Sequence, residues 1–439
     1  MDDSTPSTLS AGIPVKAMLA EVRKPLGPVW WCVFVASVLL AAWGVGWSSW
    51  RIAAEGVGVL GLNNNVVWGL DIVHFVFWIG LGHAGTLISA VLLLTRQSWR
   101  SPIARGAELM TLCAVVCAAV FPVVHVGRVW MAWMAGGIWP DMASPLMWDV
   151  MAVSTYFLLS LTYWYIGLIP DFALLRDCCT GRLKRRYGLL ALGWQGTGRQ
   201  WRAYEKASLL FAAILTPLVV SVHSVVSFDF SVTQVPGWHQ SIFPPYFVGG
   251  AILSGMAMVQ LILLAVRRLM AGSGVREAIT PAILNLSSKF VLALALVMGA
   301  MYLWEHMAVL LNGGAPELFP GRNPVGAVFM AAMIAGNVVL PQLFWFRSLR
   351  TNPLVIVVVA LGVLAGMWME RFWIVVDSLK ASLLAANAGD YFPSLTDLAM
   401  MAGSAGLFTA LYMILVRVTP FFSLCDVREQ QSLDREGRA

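Results

Sequence analysis

The sequence predicts an all-α integral membrane protein that crosses the bilayer about ten times. Of its 439 residues, 59% are hydrophobic and 12% are charged, whereas soluble domains carry about 25% charged residues. The mean hydropathy is +0.75, and apolar runs long enough to span a bilayer recur along the chain. A soluble protein of this length needs far more polar surface. Soluble multidomain classes are therefore excluded.

Each apolar run is predicted to be a helix, because lipid offers backbone groups no other hydrogen-bond partner. The predicted spans are residues 28–47, 66–95, 106–130, 146–168, 207–229, 244–266, 285–311, 325–346, 353–376 and 398–418. Spans 2–5 and spans 6–9 are each predicted to form a four-helix bundle, with spans 1 and 10 peripheral. The chain then divides into an N-terminal tail (1–27), a membrane domain (28–420) and a C-terminal tail (421–439). The polar N-terminal tail gives no indication of a cleavable signal peptide.

The basic residues predict the orientation of these spans. With the N-terminus in the cytoplasm, 23 of the 29 Lys and Arg residues fall in cytoplasmic loops or tails. The opposite loops hold Arg51, Arg322 and Lys380. This strong positive-inside bias predicts that both termini are cytoplasmic. The net charge of +6 thus reflects topology and lipid-headgroup contacts, and no nucleic-acid partner is expected.

Ionisable residues inside spans are costly and mark either ion pairs or chemistry. In the predicted topology, such residues from several helices gather near the non-cytoplasmic face. They are Asp71 and His74 in span 2, His125 and Arg128 in span 3, Asp149 in span 4, His223 and Asp229 in span 5, Glu305 and His306 in span 7, and Glu370 and Arg371 in span 9. A structural ion-pair network and a chemical site both remain open. His83 lies in mid-membrane, where an interhelical hydrogen bond is favoured over a place on a proton path.

Quinol oxidation is the chemistry that best suits these groups. A quinol that loses two electrons also loses two protons, and His or a desolvated carboxylate accepts protons near neutral pH. The His and carboxylate groups near the non-cytoplasmic face are therefore the candidate acceptors for the two hydroxyls. Asp71, His74 and Asp229 are predicted to support the quinol-binding site or the proton exit.

The sequence predicts no metal or redox cofactor bound by this chain. Its six cysteines form no C-x-x-C pair, which disfavours a zinc site, an iron–sulfur cluster and c-type haem. His74 and His83 are nine residues apart and point to opposite faces of one helix, so bis-His haem b is also disfavoured. Electrons from a quinol would therefore have to reach a redox centre in a partner, and the isolated chain is expected to be inactive.

Four blocks of sequence, supported by two shorter ones, resemble a known family. They are WGLDIVHFVFWIGLGHAGTLISAVLLL (68–94), AELMTLCAVVCAAVFPVVHVGRVW (107–130), SPLMWDVMAVSTYFLLSLTYWYIGLIPD (144–171) and SVHSVVSFDFSV (221–232), with WEHMAVLLNG (304–313) and ERFWIVV (370–376). Together they resemble the NrfD/polysulfide-reductase membrane subunits. Within that family the resemblance is to the ActC-type quinol-binding subunit of bacterial alternative complex III.

The resemblance implies a ten-helix subunit of the bacterial inner membrane that has no cofactor of its own. It implies oxidation of menaquinol or ubiquinol at the periplasmic face. Electrons would pass to an ActB-like iron–sulfur subunit and then to a multihaem cytochrome c, beside an ActF-like paralogous membrane subunit and other small membrane subunits. The family's quinol ligands fall on His125 and Asp149, which are then the predicted acceptors for the two hydroxyls, and the nearby Arg128 is expected to fix charge and orientation. Its proton-path residues fall on His83, Glu305 and Glu370, and the adjacent His306 and Arg371 are predicted to lie on the same path.

Three other functions remain open at this point. The chain is alternatively a quinone-reducing membrane anchor of a molybdopterin or other iron–sulfur oxidoreductase, since one quinone pocket serves both directions of electron flow. It is alternatively a secondary transporter, although transporter sites usually lie at the midplane beside broken helices. A purely structural anchor would bind no quinone. Binding of a quinone analogue, compared with substrate uptake into proteoliposomes, separates these functions.

Overall fold

Ten helices of the computed structural model are long and apolar enough to cross a membrane, which confirms the predicted all-α fold. The structure describes residues 27–131, 142–233, 235, 238, 241–269, 279–311, 324–380, 391–421 and 423, and these contain no strand. The helices are α1 (Pro28–Glu55), α2 (Leu70–Leu94), α3 (Pro102–His125), α4 (Pro145–Cys178), α5 (Gly198–Ser231), α6 (Phe243–Arg268), α7 (Pro281–Ala308), α8 (Ala327–Trp345), α9 (Pro353–Lys380) and α10 (Leu395–Val418). Most of both predicted tails lies outside the described residues.

The helices form two bundles of four, as the sequence predicts. In the first bundle, α2 and α4 each pack against α3 and α5; in the second, α6 and α8 each pack against α7 and α9. Helix α1 packs against α10, which in turn lies on α3 of the first bundle. The bundles meet mainly where α2 contacts α6, with further contacts between α5 and α6 and between α2 and α9.

Several helices extend beyond the apolar runs that predict them. Helices α4 and α5 each have 34 residues and continue well past the predicted boundaries at 168 and 207. An apolar run marks the part of a helix in the hydrocarbon layer, whereas helical hydrogen bonding continues into polar surroundings. A capping box, in which Thr197 and Gln200 bond each other's backbone N–H groups, sets the start of α5. The short helix Gly181–Leu190 connects α4 to α5.

Helix α3 ends earlier than predicted, which changes the placement of one candidate residue. The sequence predicts a span over 106–130, but the helix ends at His125 and Gly127 adopts a φ of +76°. A positive φ costs glycine little and takes the chain out of the helix. Arg128 therefore lies beyond the helix and is exposed. The prediction that Arg128 lies in the same span as His125 is wrong for this reason.

Glycines allow the closest helix contacts. A Cβ atom added at Gly255 of α6 would lie 1.9 Å from the Cβ of Ala84 in α2, at the junction of the two bundles. A Cβ at Gly403 of α10 would lie 2.5 Å from the Cα of Gly44 in α1. Since apolar burial does not drive helix association in lipid, such close backbone packing supplies much of the attraction.

Replacing Gly403 with leucine is expected to destabilise the protein by about 1–3 kcal/mol, because the new side chain has no space between α10 and α1. Thermal unfolding of the detergent-solubilised protein measures this as a lower Tm. Gly46 is the matched control, since an added Cβ there meets nothing within 4 Å, and Gly46→Leu should leave the Tm unchanged or raise it. Equal Tm values for the two variants would contradict the assigned α1–α10 contact.

Candidate functional site

A histidine–carboxylate pair lies at the end of the first bundle where α2 and α4 begin and α3 ends, here called the His125 end. Asp71 is in the first turn of α2, and its Oδ2 lies 2.5 Å from Nδ1 of His125, the last residue of α3. The other carboxylate oxygen accepts the backbone N–H of Gly69 at 3.3 Å. The side chain of Asp71 is fully buried, whereas that of His125 is 23% exposed.

The pair fixes which nitrogen of His125 is available. A neutral imidazole has one N–H donor and one acceptor nitrogen. Because Asp71 accepts the hydrogen bond from Nδ1–H, Nε2 keeps its lone pair. The partly exposed His125 ring thus presents a base that can accept a hydrogen bond from a hydroxyl group.

Two further carboxyl groups meet at the same end of the bundle. Asp149 lies in the second turn of α4 and Asp229 near the end of α5, and both are buried. The two carboxyl groups are close enough to interact electrostatically. Both oxygens of Asp149 and Oδ1 of Asp229 are buried and accept no hydrogen bond from the described residues. Two neighbouring ionised carboxylates repel each other, so the pair is suited to hold and release a proton.

The two remaining predicted quinol-site residues, His74 and Arg128, do not belong to either of these pairs. Nδ1 of His74 donates to the backbone oxygen of Leu70 at 2.5 Å, and Nε2 accepts from the indole N–H of Trp368 in α9 at 3.3 Å. Both nitrogens of His74 are therefore used, and the residue links the two bundles. Among the described residues, the exposed Arg128 forms no ion pair with Asp71 or Asp149.

A pair of histidines lies deeper in the first bundle. Nδ1 of His83 in α2 lies 2.9 Å from Nδ1 of His223 in α5, and both rings are buried. This is the interhelical hydrogen bond that the sequence favours for His83. It also shows that His223 lies deeper than the predicted outer end of span 5. The Nε2 atoms of both rings are buried without a hydrogen-bond partner among the described residues.

Uncharged polar groups continue from the histidine pair towards the opposite end of the bundle. The hydroxyls of Tyr156 and Thr111 both donate to the backbone oxygen of Gly82, at 2.9 and 2.7 Å. Thr86 Oγ1 donates to Thr111 at 3.1 Å. These groups are buried and are not visible as candidates in the sequence, because single Thr and Tyr residues are common in helices.

A buried ion cluster ends this row of polar groups, at what is here called the Arg105 end. Arg105 lies 2.9 Å from Asp171 and 3.5 Å from Glu108, which accepts the hydroxyl of Ser89 at 2.5 Å. A small cavity adjoins Arg105 and Glu108 and is also lined by Tyr163. The sequence predicts that Arg105 lies in a cytoplasmic loop, whereas its side chain is buried in the structure.

The second bundle contains a polar cluster of its own. Glu370 of α9 is fully buried, accepts the hydroxyl of Tyr302 and lies 3.0 Å from Nη1 of Arg371. Asn337, in a π-helical turn of α8, donates to the Tyr302 hydroxyl at 2.8 Å. Turns of this kind occur frequently at functional sites. Sequence analysis identifies the two charged residues but not Tyr302 or Asn337.

The predicted proton-path residues lie in both bundles, and an aromatic ring separates the two sets. The Phe247 ring of α6 lies 4.1 Å from the Arg371 guanidinium, and its centroid lies 5.9 Å from that of His223. Of the two remaining residues, His306 places Nδ1 2.7 Å from the backbone oxygen of Tyr302, and Glu305 is buried.

These features define a polytopic helical membrane protein with ionisable groups buried inside four-helix bundles. A comparison with protein families gives the more specific assignment. The family model "Polysulphide reductase, NrfD" matches residues 58–381, and the chain belongs to this family. The matched region includes every candidate residue described above.

Two relatives with assigned names are similar to this chain. A protein of Halobacterium salinarum, named as a membrane subunit of a dimethyl sulfoxide reductase, is 26% identical over 240 residues, which cover 54% of this chain and 52% of that protein. The chain thus matches only about half of the length of that relative. A protein of Mesobacillus selenatarsenatis, named as a subunit of selenate reductase, is 22% identical over 389 residues, which cover 84% of this chain and 89% of that protein.

Proposed function

We propose that this chain is the quinone-reactive membrane subunit of an oxidoreductase complex and that the quinone headgroup binds at the His125 end of the first bundle. The Asp71–His125 pair carries this proposal. A buried carboxylate that orients a partly exposed imidazole leaves Nε2 as an acceptor. A quinol hydroxyl is the kind of donor that such a base deprotonates.

In the proposed mechanism, one quinol hydroxyl donates a hydrogen bond to His125 Nε2 and transfers its proton there as an electron leaves. The Asp71 carboxylate stabilises the imidazolium that forms. The second hydroxyl releases its proton to the Asp149–Asp229 pair. One quinol thus becomes one quinone, two protons and two electrons. The electrons pass to a redox centre of a partner subunit, most simply an iron–sulfur cluster.

The names of the relatives support a reductase complex as the assembly. Both are named as subunits of a reductase, one for dimethyl sulfoxide and one for selenate. In such a complex the subunit would pass electrons from quinol towards a catalytic subunit. Quinol oxidation in an alternative complex III, with its iron–sulfur, cytochrome c and ActF-like partners, uses the same site and remains the narrower prediction.

The two polar clusters deeper in the protein support a role in proton movement. His83 and His223 share one hydrogen bond. The Phe247 ring lies between His223 and Arg371, and Arg371 pairs with Glu370. We propose that these groups carry protons between the two bundles. The predicted orientation puts the His125 end at the periplasmic face of the bacterial inner membrane.

Binding of a quinone-site inhibitor to the purified native complex tests the proposed function. We expect a fluorescent quinone analogue to bind with a stoichiometry of one per subunit and to be displaced by menaquinol or ubiquinol analogues. We also expect a pulse of quinol analogue to reduce the redox centres of the partner subunits. A complex that shows neither quinone binding nor reduction by quinol would contradict the proposal.

A further inference from the structure

A tyrosine and an aspartate outside the four-helix bundle lie beside the Asp71–His125 pair. Tyr391 precedes α10, and its hydroxyl accepts the backbone N–H of Leu70 at 3.1 Å, one residue before Asp71. Its ring packs on Gly69, where an added Cβ would lie 2.8 Å from the hydroxyl oxygen. Only glycine at this position lets the phenol approach the start of α2.

Asp397, in the first turn of α10, lies next to Tyr391. Its Oδ2 accepts the backbone N–H and the hydroxyl of Ser394, each at 2.9 Å, in a capping box. Its Oδ1 is buried and has no hydrogen-bond partner among the described residues, and the Tyr391 hydroxyl is close enough to interact electrostatically with this carboxyl group. Capping uses only one of the two carboxylate oxygens, and Asp397 is 2% exposed.

Asp71 has no direct contact with solvent, since its side chain is fully buried. A proton that passes from His125 to Asp71 must therefore leave through other groups. Tyr391 bonds the backbone N–H of the residue before Asp71, and both Tyr391 and Asp397 are close enough to Asp71 to interact with it electrostatically. Ser394, which bonds the Asp397 carboxyl, is partly exposed and so reaches the surface.

We propose that Tyr391 and Asp397 form the route by which protons move between the Asp71–His125 pair and the outer surface. Burial raises the pKa of Tyr391, so its side chain stays a neutral phenol that both accepts and donates a hydrogen bond. Asp397 takes the proton that leaves the site, and the Ser394 hydroxyl passes it on to water. This inference rests on the proposed function of His125.

Among the described residues, few other charged groups face this route. On α1, Arg51 donates to the Thr396 hydroxyl at 3.1 Å and pairs with Glu55 at 3.1 Å. From α2 and α3, Asp71 and His125 face the route at its inner end. The charge of Arg51 is thus shared with Glu55, and Asp397 is the buried acid that bonds the partly exposed Ser394.

Two substitutions test the route in the intact complex. Tyr391→Phe removes only the hydroxyl, and Asp397→Asn keeps an oxygen that can accept the cap hydrogen bonds. Each is expected to lower kcat for quinol oxidation about tenfold and to leave KM and quinone-analogue affinity unchanged. Because water and hydroxide accept protons more readily as pH rises, the loss should shrink at high pH. For quinone reduction, which takes up protons, the loss should instead shrink at low pH.

A tyrosine on α10 supplies the matched control. Tyr412→Phe removes a hydroxyl of α10 that donates to the backbone oxygen of Gly106, at the opposite end of the first bundle, and should leave kcat and its pH profile unchanged. If both test variants keep the kcat and pH profile of the unmodified complex, the route is wrong. If turnover also survives His125→Ala, the proposed quinone site itself is wrong, so the two failures are distinguishable.

Discussion

Replacing His125 with alanine is expected to lower quinol-dependent electron transfer by at least about 100-fold, since a positioned general base contributes about 10²–10⁴-fold. The substitution removes the acceptor for one quinol hydroxyl and leaves Asp71 as a buried carboxylate without its imidazole partner. Reduction of the partner redox centres by a quinol analogue measures the loss. Assembly should be preserved, because His125 is the last residue of α3 and its ring is partly exposed.

Asp71→Asn gives an independent measure of the same pair. The amide keeps the size of the side chain but no longer stabilises an imidazolium, so turnover should again fall, while quinone-analogue binding is largely retained. The matched control is Asp177→Asn, which neutralises an exposed acid paired with Arg176 near the end of α4 and should leave turnover unchanged. Full turnover in the His125→Ala complex would remove this pair from the mechanism.

Replacing Arg105 with methionine is expected to destabilise the protein by about 3–5 kcal/mol, the cost of breaking a buried ion pair by removing one partner. Arg105 lies between the carboxylates of Asp171 and Glu108, and all three residues are buried. The variant removes the cation that lies between these two carboxylates. Thermal unfolding of the detergent-solubilised complex measures the loss as a lower Tm.

Arg176→Met is the matched control for this stability effect. Arg176 pairs with Asp177 at 2.8 Å, but the Asp177 side chain is 61% exposed. Exposed ion pairs contribute about 0–1 kcal/mol, so the Tm should change little. Adding Asp171→Asn to Arg105→Met neutralises one of the two carboxylates that have lost Arg105 and should restore part of the lost stability. Equal Tm values for the Arg105 and Arg176 variants would contradict a buried, charge-balanced cluster.

The sequence predicts the number of helices and their grouping well, because hydropathy and length directly reflect the membrane environment. It predicts the helix ends less well. The end of α3 depends on the positive φ of Gly127, and the start of α5 depends on the cap formed by Thr197 and Gln200. Both are local backbone features that leave the average hydropathy of a span unchanged.

The sequence identifies candidate residues that are ionisable, because such residues are unusual inside spans. It misses candidate residues that are uncharged. Asp71 and His125 stand out because ionisable groups inside spans are rare, and the structure brings them together. Tyr302, Asn337 and Tyr391 are uncharged, so nothing in their sequence context separates them from ordinary helix residues. The quinol-binding roles of His125, Asp149 and Arg128 remain predictions for the experiments above.

The contact between Gly255 and Ala84 has a consequence for how the two halves of the molecule can move. At this point the backbone of α6 lies directly on α2, and the bond from Trp368 to His74 ties α9 to the same helix. Carriers that work by alternating access rock one repeat against the other, which requires an interface that slides. Here the interlocked halves favour a rigid frame whose helices stay in place.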